Sequence, residues 1–226
     1  FVGWDASGLE ARMEGHYTYK YDGGEYAREL TQGDVHSMNA KVFGCDRDTA
    51  KSGKYCLTYG GGPPKLADTL GVKQSKGKEL HKAFWESNKA LCSLRDNLVK
   101  YWKTAGKGKF IIGIDGRKVF TRSEHSLINT LFQSAGAIVM KHAMVLMDRW
   151  ATELYGDLAH GLIRYHDEEQ WEVDKSLVNF KSFNTKEEAE SFKCKEGRVY
   201  GDVFQVPDKD KYFRAYTPIG ELGVKS

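Results

Sequence analysis

The chain has 226 residues, of which 40% are hydrophobic and 29% charged, and a formal net charge of +3. That is enough material for one large domain or two small ones with a buried core, and it excludes a disordered or fibrous chain. So weak a basic balance does not by itself mark a nucleic-acid binder, because clustering on one face is what matters. The longest apolar run, residues 135–140 with their neighbours, falls far short of the roughly 20 residues of a membrane helix, so no membrane partner is expected. Cys45, Cys56, Cys92 and Cys194 show no C-x-x-C pairing and no matched histidine spacing. They read as ordinary thiols in a reducing compartment.

In chain order, residues 1–4 predict a short strand ending at Asp5, then a polar turn and a charged helix over 9–16. A strand this close to the first residue reads as a sign that the chain is cut from something longer. Gly33-Asp34-Val35-His36 predicts a turn leading into a helix. Residues 47–59 predict another helix, closed by Gly60-Gly61-Gly62-Pro63-Pro64, a strong stop signal. Next, Leu80, Phe84, Leu91, Leu94, Leu98 and Tyr101 recur at helical spacing, with lysines and Arg95 between them. Such a basic face is either solvated or turned toward phosphate.

Residues 110–114, Asp115-Gly116 and 117–120 predict a hairpin with a tight two-residue turn. Residues 126–155 predict one long helix whose apolar stripe is Leu127, Leu131, Ala135, Ile138, Ala143, Leu146, Met147, Trp150 and Leu154. Two strand pieces over 162–173 flank a turn carrying His166-Asp167-Glu168, and the remainder reads as a loop or hairpin excursion. No repeat or low-complexity tract is present.

Three clusters have the residue types of a reaction centre: Asp5 to Arg12 at a strand end, the row Arg47, Lys51, Tyr55 and Tyr59-Gly60, and His166-Asp167-Glu168. Each alone is weak. Asp5 could simply cap a helix, and a single His-Asp-Glu is common by chance. The spacing of four puts Arg47, Lys51 and Tyr55 on one helix face. There an arginine fork and a lysine point charge suit a polyphosphate. Asn129 and Gln133, also four apart, point the same way from the long helix. Amide donors there could test the minor-groove acceptors present on every base pair, or simply face solvent.

Taken in order, the clusters resemble the three signature motifs of family A (polymerase I family) DNA polymerases. These are Asp-x-Ser-x-Leu-Glu-x-Arg at 5–12, Arg-x-x-x-Lys-x-x-x-aromatic-x-x-x-Tyr-Gly at 47–60, and His-Asp-Glu at 166–168. Residues 33–36, 115–119 and 129–137 are similar to the replicative enzymes of short-tailed bacteriophages in particular. The resemblance runs from Phe1 to Val173. This sequence departs from the family pattern at Cys56, where glycine is usual, at Thr58, where an apolar residue is usual, and at Gly53 and Lys54 inside the helix.

The resemblance implies an α/β (α+β) fold with right-hand polymerase architecture: an antiparallel palm sheet backed by helices, with an inserted helical fingers subdomain and no thumb or exonuclease. The palm is expected at 1–16 and 129–226 and the fingers at 17–128. It implies template-directed DNA synthesis by two-metal-ion nucleotidyl transfer. Two Mg2+ ions, with Mn2+ able to substitute, would be held by Asp5 and Asp167, with the Ala6 carbonyl as an added ligand and Glu168 in support. Arg47, Lys51 and His36 are expected on the triphosphate, with Lys51 also protonating the leaving pyrophosphate. Glu10 and Tyr55 are expected at the sugar, Tyr59 near the templating base, Asn129 and Gln133 on the duplex minor groove, and His166 near the primer terminus. Tyr55, where many cellular relatives carry Phe, implies easy acceptance of dideoxynucleotides.

Expected partners are primer–template DNA, deoxynucleotide triphosphates, a missing thumb or exonuclease segment of the same enzyme and a processivity factor, in the cytoplasm of a host cell. The chain is expected to be a fragment or one part of a split enzyme. Three other readings stay open: a single-subunit RNA polymerase, against which Glu10 and Tyr55 argue; a non-catalytic nucleic-acid-binding remnant; and an unrelated two-carboxylate hydrolase, which has no use for the Arg47/Lys51/Tyr55 row.

Overall fold

The computed structural model describes residues 1–6, 8–33, 35–191, 199–205 and 211–217. It divides into two compact units, one made of Phe1–Ser7 with Val139–Ser226 and the other of Gly8–Ile138.

The opening strand forms as β1 (Val2–Asp5). The second unit then begins with α1 (Leu9–Asp22). It continues through α2 (Glu25–Gln32), α3 (Val35–Phe43), α4 (Arg47–Thr58), α5 (Pro63–Leu70), α6 (Gln74–Ser87) and α7 (Lys89–Lys103). The hairpin β2 (Phe110–Ile112) and β3 (Lys118–Phe120) follows, and then the long helix α8 (Leu127–Tyr155), whose first part belongs to this unit. The core of the unit gathers one face from every helix except α2: Met13 of α1, Phe43 of α3, Ala50 and Leu57 of α4, Leu66 of α5, Phe84 of α6, Leu91 and Leu94 of α7, and Leu127, Leu131 and Ala135 of α8.

Several local expectations change. Helix α1 is longer than the stretch read from charge alone, running on past residue 16 through the buried Thr18 to Asp22. The Gly-Pro stop after α4 is also a start, since Pro63 and Pro64 occupy the first turn of α5, where a missing N–H costs nothing. The basic segment is two helices rather than one. Asn88 breaks it, its side-chain amide donating to the Phe84 carbonyl at 2.8 Å. On these helices Lys76 pairs with Glu79 and Lys82 with Glu86, and Lys103 of α7 pairs with Glu124, as on a solvated face. The hairpin turn is not the two-residue type. The Gly113 N–H donates to the Arg117 carbonyl at 2.9 Å and the Gly116 N–H to that of Gly113 at 3.0 Å. With Gly116 at φ 80, this is a three-residue loop ending in a left-handed glycine.

In the first unit, β4 (Ala159–Tyr165) and β5 (Glu168–Val173) form a hairpin, and β5 pairs with β1 on its other side, giving an antiparallel sheet of order β1-β5-β4. Met147 and Ala151 of α8 pack with Ala159, Trp171, Trp4 and Trp150. The stripe on α8 therefore runs Met140, Met144, Met147, Ala151 in its later half, while Leu146 and Leu154 are exposed. A straight 3.6-residue helix drifts against a fixed repeat, so extending the early stripe selects the wrong leucines.

Of the loop or hairpin expected in the remaining segment, the hairpin is present, as part of a larger sheet. β6 (Asn179–Phe183), α9 (Lys186–Ser191), β7 (Val199–Gln205) and β8 (Tyr212–Thr217) form a second antiparallel sheet of order β6-β8-β7 with one short helix.

By length and composition alone, the helical stretch Glu124–Leu158 could cross a membrane, with a mean hydropathy of 1.2 over its most apolar window. Polar residues such as Asn129, Gln133 and Lys141 interrupt it, so it holds no long unbroken apolar run. Its buried Leu127, Leu131, Ala135, Met144 and Met147 are what a core helix needs.

Candidate functional site

In the first unit the carboxylates meet because β1 ends where β5 begins. Asp5 lies opposite Glu168 in the register, and the Ala6 N–H donates to the Asp167 carbonyl at 2.9 Å. The β4–β5 turn is closed by His166 at φ 53, a left-handed conformation that His adopts more readily than most side chains. Its ring packs edge-on to Tyr165, with centroids 4.2 Å apart. Asp5, His166 and Glu168 are exposed and Asp167 is half-buried. Desolvation, and then the negative charges of Asp167 and Glu168, push the Asp5 carboxyl above its ordinary range. Asp5 does not cap α1: the cap is Gly8, at φ 63 with no side-chain bond.

Like charges facing each other across strands are destabilising. A hard divalent cation with oxygen ligands relieves that repulsion, and magnesium completes its shell with water and substrate phosphate. The carboxylates therefore fit such an ion. Among the described residues no group of three or more His, Cys, Asp or Glu side chains is arranged to enclose a metal, so any ion here would rely on those outside ligands. Cys45, Cys56 and Cys92 are free thiols, and Cys194 lies outside the described residues.

Beneath this strand end lies a group that the sequence reading missed. Glu169 is fully buried. It accepts from Trp4 Nε1 at 3.1 Å and from Arg164 Nε at 2.8 Å, and Arg164 also pairs with Asp148 at 2.5 Å. The chain tethers all three strands of the sheet, and no motif spacing signals it.

In the second unit, α4 carries its row as expected. Asp46 caps the helix, accepting from the backbone N–H groups of Asp48 and Thr49 at 3.0 and 2.9 Å. These bonds, that from the Thr49 hydroxyl first, hold its carboxyl below the usual range. Arg47 and Lys51 are exposed, Tyr55 is half-buried and Tyr59 is exposed just past the last turn. The rings of Tyr55 and Tyr59 stack with centroids 6.2 Å apart. Gly60 must be glycine: at φ 81, an added Cβ would sit 2.3 Å from the His125 carbonyl oxygen.

Tyr59 also ties α4 to α1 and α8. Its hydroxyl donates to Glu10 Oε1 at 2.6 Å, and the Gln133 amide donates both to Glu10 and, at 3.3 Å, to the Tyr59 hydroxyl. Burial, and then the Glu10 carboxylate, push the Tyr59 phenol up to about 12. Glu10, Tyr59 and Gln133 thus form one hydrogen-bonded group, with Tyr55 stacked beside it. Asn129 lies one turn before Gln133 on α8, half-buried. The expectation for the His36 side chain lies outside the described residues, as does Asp34 of the turn before it.

Three comparisons with known proteins bear on this arrangement. The fold is that of a polymerase domain: the chain aligns with the POL domain of Pol1 from M. smegmatis, solved in complex with DNA primer-template and dNTP. That alignment has a TM-score of 0.65 at 21% identity, over 76% of this chain and 33% of that one. Residues 2–194 match the DNA polymerase family A model, and the chain belongs to that family. It is 37% identical over 172 residues to the DNA-directed DNA polymerases of Enterobacteria phage T3 and Escherichia phage T7, which covers 71% of this chain. It is 32% identical over 211 residues, or 79% of the chain, to that of Escherichia phage Phieco32. The matches span 24% of the T3 and T7 enzymes and 34% of the Phieco32 enzyme.

Proposed function

We propose that this chain carries the nucleotidyl-transfer site of a template-directed DNA polymerase, with the palm at 1–16 and 129–226 and the fingers at 17–128. The observation that carries the proposal is the bond from the Ala6 N–H to the Asp167 carbonyl, which joins the ends of two strands that each bear a carboxylate.

Asp5 and Asp167, with the Ala6 carbonyl, would hold two Mg2+ ions, or Mn2+ in their place, and Glu168 supports them. Bound there, the ions would lower the cost of charge on the attacking and leaving oxygens. The chain's own groups do the rest. Arg47 grips the triphosphate as a fork and Lys51 as a point charge, with His36 as a further contact. The primer 3′ hydroxyl gives up its proton to solvent as its oxygen bonds to the α-phosphorus, the bond to the bridging oxygen breaks, and pyrophosphate leaves with a proton from Lys51, which regains one from water. Glu10 and Tyr55 crowd the sugar 2′ position, so deoxyribose is accepted and ribose refused.

Tyr59 lies near the templating base and His166 near the primer terminus. Asn129 and Gln133 offer amide donors to minor-groove acceptors shared by every base pair, which checks geometry without reading sequence. The partners are primer–template DNA, deoxynucleotide triphosphates, a thumb or exonuclease segment and a processivity factor, in the cytoplasm.

Primer extension with magnesium and deoxynucleotides, comparing the chain with Asp167→Ala, tests this. Extension lost in the variant supports it. If extension is absent, magnesium-dependent binding of a deoxynucleotide triphosphate that Lys51→Ala weakens supports a competent nucleotide site. Neither extension nor binding overturns the reading.

A further inference from the structure

Inside the helical unit, Lys54 and Glu14 form an ion pair whose side chains are only 7% and 3% exposed. Lys54 Nζ lies 3.1 Å from both Glu14 oxygens and also donates to the Tyr26 hydroxyl. Tyr26 stays a neutral phenol because burial, and then Glu14, raise it far above its ordinary range. Three helices contribute one group each: α1 gives Glu14, α2 Tyr26 and α4 Lys54. None of the proposed chemistry uses them, and desolvating two charges is costly, so a buried pair is weak evidence for stability alone. What such a pair can supply is register, because its hydrogen bonds hold only over a narrow distance range.

The register it sets is that of α1 against α4. Glu14 lies one turn after Glu10 on α1, and Lys54 immediately precedes Tyr55 and lies about one turn before Tyr59. The helices are therefore joined by two rungs, the buried Glu14–Lys54 pair and the exposed Glu10–Tyr59 bond. Between the rungs is a cavity of about 20 Å³ lined by Glu10, Glu14, Lys54, Tyr55 and Thr58, room for about one water. The spacing has little slack.

We propose that the Lys54–Glu14–Tyr26 cluster is a buried spacer that fixes the gap between Glu10 and Tyr55, and so sets how strictly the site separates deoxyribose from ribose. This rests on the assignment of Glu10 and Tyr55 to the sugar made above. All three are positioning residues, since none of them meets the nucleotide. Lys54→Met leaves Glu14 buried without its counter-charge and frees the helices to part. Glu14→Leu with Lys54→Met removes both charges at similar volume, so packing recovers while the directional bond is gone.

The test is the ratio of dissociation constants for ATP and dATP, titrated into the full chain with magnesium and primer–template, beside the melting temperature of each variant. A loss of folded protein scales both affinities together and leaves the ratio alone. Both variants are expected to lower the preference for dATP by about fivefold or more, with the double variant regaining thermal stability. If Lys54→Met fails to fold, the double variant decides. A wild-type ratio in the double variant would mean that the pair only fills space, and the inference is wrong. If the wild-type chain shows no preference for dATP, the sugar assignment itself fails and takes this inference with it. A preference that is present but unmoved by either variant overturns the spacer alone.

Discussion

The backbone N–H of Ala6 and the carbonyl of Asp167, 2.9 Å apart, join the end of β1 to the turn that opens β5. That bond extends the β1–β5 ladder, whose register makes a residue near the first position and one in the last third of the chain neighbours and sets Asp5 opposite Glu168.

The crowding of these carboxylates has a measurable consequence. Asp167→Asn should abolish magnesium-dependent extension, by on the order of a thousandfold, while the melting temperature stays the same or rises. The negative charge of Asp167 is among the causes that push the Asp5 carboxyl up, so removing it relieves repulsion rather than breaking a contact. A variant that lost activity together with several degrees of melting temperature would show that Asp167 is structural.

At α4, Tyr55 bears a hydroxyl at the position proposed to meet the sugar. A dideoxynucleotide lacks the 3′ hydroxyl, and a polar side chain in its place keeps buried polar neighbours paired. The chain should therefore incorporate dideoxynucleotides within about tenfold of the normal rate, and Tyr55→Phe should widen that gap to the order of a hundredfold. Single-nucleotide incorporation kinetics measure both. Equal discrimination by the two proteins would remove Tyr55 from the sugar site.

The Glu169 chain predicts a stability effect away from the chemistry. Arg164→Ala strips a fully buried carboxylate of its guanidinium and leaves the Trp4 indole as its remaining donor among the bonds described. The cost is about 2 kcal/mol, read from denaturant titration of tryptophan fluorescence. Adding Glu169→Gln should recover part of it by removing the stranded charge. No change in Arg164→Ala would show that water has already reached Glu169.

A pH effect follows from α6 and α7. The Trp85 indole N–H donates to His81 Nε2 at 3.3 Å, which requires that nitrogen to be unprotonated, and the Arg95 guanidinium lies 4.2 Å from the Trp85 ring centroid. Burial, and then Arg95, lower the His81 pKa below its ordinary 6.5. A histidine with a depressed folded pKa binds protons more readily when unfolded. Its contribution is therefore present above pH 6.5 and declines as the pH falls from there through the folded pKa. Denaturation midpoints between pH 7.5 and 5, chosen to bracket the ordinary histidine pKa of about 6.5, should fall more steeply for the wild type than for His81→Gln. Parallel profiles would show that His81 takes up its proton equally in the folded and unfolded states.

The candidate site residues stand out in the chain itself because their spacing is a property of single elements. Arg47, Lys51 and Tyr55 share a face on any α-helix, and Asp5 and His166-Asp167-Glu168 sit where strand patterns end. The long helix was legible for the same reason, except that the drift of its stripe depends on what it packs against, which is why Met144 and Met147 are buried where Leu146 and Leu154 are not.

Only the tertiary structure decided which distant groups meet. Glu10 with Tyr59 and Gln133, Glu169 with Arg164, and Lys54 with Glu14 are separated by lengths of chain that no local period spans. Gly53 and Lys54, oddities when read along α4, become ordinary in three dimensions. A Cβ on Gly53 would come within 2.9 Å of Leu70 and 3.1 Å of the Phe43 ring, and Lys54 is inward because its counter-charge lies on another helix. Propensity and periodicity act over one turn or one pleat, whereas burial and charge pairing are settled by whatever the fold brings alongside.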